Sequence, residues 1–85
     1  MPYIAKERRK RYDRTIEEIL EALPDNSEEA AGDFTYVIYR LLTKFNGRYY
    51  ERALGMGSLV MACMEMYRRS HGPYEDEKIW EHGDL

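Results

Sequence analysis

Arginine and tyrosine residues cluster at one point of the sequence, where Arg48, Tyr49, Tyr50 and Arg52 lie almost consecutively. Arginine binds phosphate oxygens through paired hydrogen bonds, and a tyrosine ring offers a flat face on which a base can stack. We expect the cluster to open a helix, whose N-terminal N–H groups favour anions. It therefore predicts a nucleotide-like ligand. The alternative interpretation is that the tyrosines pack a helix end while the arginines pair with Glu28, Glu29 or the acidic tail.

Five further arginines could complete such a site: Arg8, Arg9 and Arg11 near the N-terminus, and Arg68 and Arg69 late in the chain. We expect one of these groups to close the site from a neighbouring subunit. Nine arginines and eight tyrosines occur among the 85 residues. Both types are favoured at recognition surfaces, so the composition indicates binding more clearly than catalysis.

Residues that could support catalysis or bind a metal are few. Glu18 and Glu21 have the spacing of half of the acidic site of an all-α NTP pyrophosphohydrolase, but Arg68 stands where a second acid should follow Glu65. The single Cys63 lies on an apolar seam and is interpreted as a packed core thiol. The chain has no P-loop, GxGxxG or HExxH motif. We predict a protein that is not an enzyme and uses no metal or cofactor.

Length, charge and hydropathy restrict the class of protein further. Eighty-five residues form one domain at most. No stretch approaches the roughly 20 apolar residues of a membrane span, and no apolar signal-peptide core precedes the first basic residues. One cysteine suits a reducing compartment. We expect a cytoplasmic protein without a membrane partner, and the net charge of −3 argues against general nucleic-acid binding.

Apolar residues at helical spacing predict an all-α fold of three helices. The first helix is expected to begin at Asp13 or at the capping box of Thr15, and to end at Pro24. A polar loop is predicted for residues 24–32. The second helix should then begin after an N-cap at Asp33.

The end of the second helix is expected at Gly47 in the left-handed conformation. The third helix is predicted from Tyr49 or Tyr50 to His71, with Gly72-Pro73 as its stop. This helix is apolar on nearly every face, which predicts a second subunit and hence a homo-oligomer. Gly55 and Gly57 weaken it by roughly 1 kcal/mol each, so we expect a neighbouring helix to approach closely there.

The single domain 1–85 thus divides into a basic N-terminal arm at 1–12, three helices at 13–72 and an acidic tail at 73–85. Both arms are expected to be extended but anchored by apolar residues, with a short helical turn in the tail at 75–81. The anchors are Tyr3, Ile4, Tyr74, Ile79 and Trp80. An ion pair between Glu65 and Arg69 is expected to be structural.

Several short motifs together resemble a family of very small uncharacterised proteins from bacteriophages, prophages and prokaryotic genomes. They are MPYI at 1–4, ERR at 7–9, GDxxYVIxRL at 32–41, YRR at 67–69, PYEDEKI at 73–79 and GD at 83–84. Thr35 and His82 depart from the family pattern, which has Asn at both places. The resemblance implies a compact α fold and a phage-like origin, and it assigns no catalytic residue.

Two functions remain open for such a binding protein. The first is sequestration of a nucleotide-like small molecule, such as a host immune signal, in the host cytoplasm. The second is docking on a host or phage protein as an inhibitor or structural accessory factor. A ligand-sequestering protein needs a pocket where Arg and Tyr converge, and a docking protein needs an exposed acidic or apolar patch. The Arg and Tyr content favours the first, and the acidic loop and tail favour the second.

Overall fold

The computed structural model describes residues 3–85, and almost all of them are helical. Its α-helices are α1 (Lys6–Ala22), α2 (Ser27–Leu42), α3 (Tyr49–Met66) and α4 (Gly72–His82). A 3-10 turn, Thr43–Phe45, follows α2, and the π-helical segment Tyr67–His71 joins α3 to α4 without a break. The described chain is therefore all-helical, with three helical rods and no strand. The prediction of an all-α fold of three helices is confirmed.

The basic N-terminal segment is helical, so the prediction of an extended arm over residues 1–12 is wrong beyond residue 5. Helix α1 begins at Lys6, and Asp13 and Thr15 lie inside it rather than at its N-cap. No proline or glycine interrupts this stretch, and its lysines and arginines are good helix formers. The helix ends at Ala22, two residues before Pro24, as the sequence predicts. Met1 and Pro2 of the predicted arm lie outside the described residues.

Helix α2 begins earlier than predicted, because Asn26 rather than Asp33 is its N-cap. The Asn26 side chain accepts hydrogen bonds from the backbone N–H groups of Glu28 and Glu29 at 3.0 and 3.1 Å. These two acidic residues also interact favourably with the helix N-terminus. The predicted loop over residues 24–32 is thereby reduced to a short connection, and Asp33 lies within α2.

The end of α2 also differs from the prediction. The helix ends at Leu42 and tightens into the 3-10 turn, where the Thr43 hydroxyl donates a hydrogen bond to the Arg40 carbonyl at 2.6 Å. Such local side-chain bonds compete with the regular helical pattern. Gly47 is not left-handed: within residues 3–85 the one positive φ belongs to Gly83, at 85°, where α4 ends.

The predicted stop at Gly72-Pro73 does not end the third helical rod. Helix α3 begins at Tyr49 as predicted, passes into the π segment and continues as α4 through the supposed extended tail. In a regular α-helix the Pro73 ring would meet the carbonyl four residues earlier. The wider π turn relieves that clash, and the Gly72 N–H bonds the Tyr67 carbonyl across it. The acidic tail is thus helical to His82 rather than extended.

The 3-10 turn packs closely against α3 at Gly55, which is buried. A Cβ atom at Gly55 would lie 2.8 Å from the Cβ and Cγ atoms of Phe45. The approach at Gly55 is made by the Phe45 side chain of the 3-10 turn, whereas the sequence predicts the approach of a neighbouring helix. At Gly57 a Cβ would meet no atom within 4 Å, so no close approach occurs there within one copy. One side of α3 is therefore packed and another side is open.

The described chain has no buried apolar side chain, so the compact fold implied by the resemblance is not observed in a single copy. The radius of gyration is 16.4 Å, against about 12 Å for a compact chain of this length. Helix α1 makes no close backbone contact with α2, α3 or α4. Cys63, predicted to be a core thiol, is exposed.

The predicted tail anchors are exposed as well. Tyr74 and Ile79 keep about half of their surface in solvent, and Trp80 is 88% exposed. The whole chain has 8164 Å² of accessible surface, whereas a compact monomer of 10.2 kDa has roughly 5,300 Å². No helix within residues 3–85 combines the length and the apolar character needed to cross a membrane.

Candidate functional site

A cavity of about 200 Å³ lies where the end of α2 meets the start of α3. Its walls are largely apolar, and Leu42, Phe45 and Met56 contribute to them. Tyr39 from α2 and Arg52 from α3 supply an aromatic ring and a guanidinium at the same place. The 3-10 turn that closes α2 and the start of α3 at Tyr49 bring these two helices together.

The chemistry of this cavity is that of a small site for a planar or anionic group. Tyr39 is 67% exposed, so a ligand in the cavity can reach its side chain. Arginine offers five N–H donors in a fixed fork and cannot be deprotonated in a protein. Asn46 adds an amide that can both donate and accept a hydrogen bond.

Of the predicted cluster at the start of α3, Arg52 lines this cavity and its three neighbours do not. Arg48 is the N-cap residue of α3, and its carbonyl accepts a hydrogen bond from the Arg52 N–H at 3.1 Å. Tyr49 and Tyr50 extend into solvent with 83% and 71% of their surface exposed. They do not pack a helix end as the alternative interpretation required, and neither forms a wall for Arg52.

The late arginines Arg68 and Arg69 converge on Glu65 instead. Arg68 donates to both carboxylate oxygens, at 3.2 Å from its Nε to Oε2 and through an Nη to Oε1. The Arg69 Nε lies 3.3 Å from Oε1, so the expected ion pair between Glu65 and Arg69 is present. Tyr3 joins them, because its hydroxyl donates to Oε1 at 2.6 Å and the Arg69 guanidinium lies 5.6 Å from its ring centre.

These contacts perturb the acidity of Glu65, whose side chain is 19% exposed. The hydrogen bond from Arg68 and then that from Tyr3 lower the pKa of Glu65 from 4.5 to about 2. The same Glu65 contact raises the pKa of Arg68 above its ordinary value. We define Tyr3, Glu65, Arg68 and Arg69 as the Glu65 cluster. Arg68 and Arg69 are already paired with Glu65, so the cluster connects parts of the chain rather than offering a vacant anion site.

The basic residues of α1 stand apart from both places. Arg8, Arg9 and Arg11 are exposed on the first turns of α1. Arg9 donates from its Nε to the Ile4 carbonyl at 3.0 Å, which ties the start of α1 to the short segment before it. The nine predicted ligand-binding arginines and tyrosines therefore do not form one concavity within a single copy. Within residues 3–85 no three His, Cys, Asp or Glu side chains come together as metal ligands.

One protein family matches the chain over its full length, residues 1–85. The chain belongs to the domain of unknown function DUF6899. This membership agrees with the small uncharacterised family that the sequence motifs resemble. No curated protein and no solved structure matches the chain.

For this DUF6899 chain, sequence reasoning missed Tyr39 and the hydroxyl of Tyr3. Tyr39 lies beside Ile38 in the second helix, and its distance of 13 residues from Arg52 gave no local signal. The Tyr3 contact joins residues 62 apart, which no helical spacing can reveal. The signal that could have found Tyr39 is its place on the polar side of the apolar stripe formed by Val37, Ile38 and Leu41.

Proposed function

We propose that this chain is a non-catalytic binding protein that associates with copies of itself and takes a nucleotide-like small molecule at the α2–α3 cavity. The observation that carries the proposal is the meeting of Tyr39 and Arg52 in a cavity with apolar walls. Ligand sites commonly combine apolar surface with a few polar groups that fix orientation. A base on the ring and a phosphate on the guanidinium satisfy that description.

The size of the cavity supports a shared site. At about 200 Å³ it is smaller than the roughly 300–1,000 Å³ of most small-molecule pockets. It therefore accommodates one ring or one phosphate, and the rest of the ligand would contact a second copy. The exposed Tyr49 and Tyr50, on the first turn of α3 near Arg52, are available for that contact.

The biological setting that we propose is a bacteriophage protein acting in the host cytoplasm. A protein that binds and does not catalyse can act by lowering the free concentration of a host immune signal. The proposal applies to immune signals that are nucleotides, because the Tyr39 ring stacks on a base and Arg52 binds a phosphate. The sequence motifs that resemble phage proteins support this setting.

Titration calorimetry against mono-, di- and cyclic nucleotides tests the proposal. We expect saturable heat from at least one class, with affinity that falls as salt rises, because the screening length is only about 8 Å at ~0.15 M. In Arg52→Gln the heat should disappear. In Tyr39→Leu the binding free energy should become less favourable by about 1–3 kcal/mol, which is the contribution of one stacked base.

Arg40→Gln is the matched control, since it removes the same charge from the last turn of α2. The Arg40 Nη1 already donates to the Tyr36 hydroxyl at 2.7 Å. Wild-type binding is expected for this variant. An equal loss of binding in Arg40→Gln and Arg52→Gln would mean that only net charge matters. The absence of heat from every nucleotide at high protein concentration would exclude a nucleotide ligand.

A second function, docking on a host or phage protein, is favoured by α4. Trp80 is 88% exposed there, on a helix that also carries Glu75, Asp76, Glu77 and Glu81. A projecting tryptophan among acids suits a partner with an apolar pocket and a basic rim. Direct binding of a purified partner that is lost in Trp80→Ala and kept in Tyr49→Ala would support docking.

A further inference from the structure

We propose that a second copy of this chain packs its own α3 against the open side of α3, and that this symmetric helix pair is the interface of the oligomer. The inference rests on the self-association in the proposed function and names its surface. We call this surface the open face; its residues are Ala53, Leu54, Gly57, Ser58, Val60, Met61 and Ala62.

The open face carries two lines of small residues with a pair of larger residues between them. Ala53 and Gly57 are four residues apart, as are Ser58 and Ala62, so each pair lies on one line along the helix. Leu54 and Met61 lie between the two lines, with 45% and 44% of their surface exposed. The open space along this face is about 600 Å³. The larger side chains of one helix can lie beside the small residues of another, which permits close approach.

Gly57, on the open face, lies away from the packing already present in the chain. Phe45 contacts α3 at Gly55, and two residues of an α-helix turn the side-chain direction by about 200°, which leaves Gly57 about 160° from Gly55. Nothing comes within 4 Å of a Cβ placed on Gly57. Because glycine has no side chain, another helix can approach the α3 backbone closely at this position.

The chemistry of the open face fits a second copy of itself. Its lining residues carry no charge, so two identical faces meet without like-charge repulsion. A two-fold interface requires such a self-complementary surface, because the same residues stand on both sides. Mainly apolar side chains with a central glycine meet that requirement on both helices.

The exposed area of the chain fits an interface of obligate size. The accessible surface of 8164 Å² exceeds that of a compact monomer by roughly 2,800 Å². Obligate homodimers bury about 2,000–5,000 Å² in total, or about 1,000–2,500 Å² per chain. The excess is spread over the whole chain, and a pair of α3 helices would cover the part of it that lies on the open face.

Two glycines of the chain provide a matched test. Gly57 in α3 and Gly32 in α2 are both helical, and a Cβ at either would meet nothing within 4 Å. Leucine is a better helix former than glycine at both positions, so both Gly57→Leu and Gly32→Leu should keep the chain helical. Circular dichroism checks this. Light scattering after size exclusion then measures the mass at micromolar concentration.

We expect wild type and Gly32→Leu to form the oligomer and Gly57→Leu to dissociate. Both copies carry the substitution, so overpacking of ordinary size should raise the dissociation constant at least ~30-fold. A wild-type monomer, or a Gly57→Leu dissociation constant that equals the wild-type value in a dilution series, would overturn the proposal. Nucleotide calorimetry tests the ligand independently of the interface. If Gly57→Leu splits the dimer but no nucleotide gives heat, the interface proposal stands and the ligand proposal fails.

Discussion

The Tyr3 hydroxyl donates a hydrogen bond of 2.6 Å to Oε1 of Glu65 and so connects residues 62 apart in the sequence. The bond matters because α1 has no close backbone contact with the other helices. Arg69 supports it by placing its guanidinium 5.6 Å from the centre of the Tyr3 ring. The start of α1 is thereby attached to the C-terminal end of α3 through side chains.

Removing this attachment should loosen the N-terminal segment. In Tyr3→Phe we expect trypsin to cleave after Lys6, Arg8 or Arg9 several-fold faster than in wild type, because cleavage requires the segment to leave its place. Mass spectrometry of the early fragments measures the rates. Tyr12→Phe removes a hydroxyl within α1 and serves as control. Equal rates in all three proteins would show that the Tyr3 bond holds nothing in solution.

The Glu65 cluster should give the protein a defined acid sensitivity. Its contacts lower the pKa of Glu65 from 4.5 to about 2, so the folded chain binds this proton less readily than the unfolded chain. The stabilisation is then fully present above about pH 4.5 and is lost as the pH falls toward 2.

Denaturation of wild type and Glu65→Gln from pH 7 to pH 2 measures this effect. The difference in free energy of unfolding between them should be constant above about pH 5 and should shrink below it. Glu18→Gln, which removes a carboxylate from an exposed pair with Arg14, is the control. A difference that stays constant to pH 2 would contradict the assigned pKa.

Gly55→Ala should destabilise the chain although alanine favours helix. The added Cβ would lie 2.8 Å from Phe45 atoms, and overpacking of this kind commonly costs about 1–3 kcal/mol. The gain in helix propensity is at most about 1 kcal/mol. Urea denaturation should show a net loss for Gly55→Ala and a gain for Gly32→Ala. Stabilisation of both would indicate that Phe45 moves away without cost.

Asn26→Ala should weaken the start of α2. The Asn26 side chain accepts two backbone N–H bonds, and loss of such a cap costs about 0.5–2 kcal/mol. Asn26→Asp keeps the acceptor and should retain the stability of wild type. Hydrogen exchange at the amides of Glu28 and Glu29 locates the effect. Unchanged protection there in Asn26→Ala would mean that the cap is dispensable.

Trp80 is the only tryptophan, so its fluorescence reports directly on α4. With 88% of its surface exposed, it should emit at long wavelength and be quenched readily by acrylamide. Dilution should leave the spectrum unchanged, because the proposed self-association uses α3. Short-wavelength emission at high concentration that reverts on dilution would move the interface to α4.

The helices were predictable because apolar spacing is a local property. The start of α3 at Tyr49 and the end of α1 before Pro24 both follow from residues within one turn of the boundary. The predicted start of α2 was wrong because two residues could cap the helix, Asn26 and Asp33. Asn26 is the cap because Gly32 does not interrupt the helix. At Gly72-Pro73 a π turn absorbed a proline that normally ends a helix.

The site was less predictable because it depends on how helices meet. Arg52 was singled out with three neighbours, of which Tyr50 lies about 160° around the helix from it. Arg48 is the non-helical N-cap residue and Tyr49 is 83% exposed, and neither lines the cavity. Its partner Tyr39 comes from α2, across the turn that Phe45 and Gly55 set. Such pairings follow from tertiary packing, which no spacing within one helix encodes.

The π segment Tyr67–His71 fixes the rotational phase of α4 relative to α3. A π turn is in effect one additional residue in an α-helix, and one residue corresponds to about 100° of rotation. Deleting Ser70 would restore the α-helical count and turn Trp80 about 100° around the rod, toward a different neighbour. One residue in this segment therefore determines which face of the acidic helix α4 is turned toward the rest of the molecule.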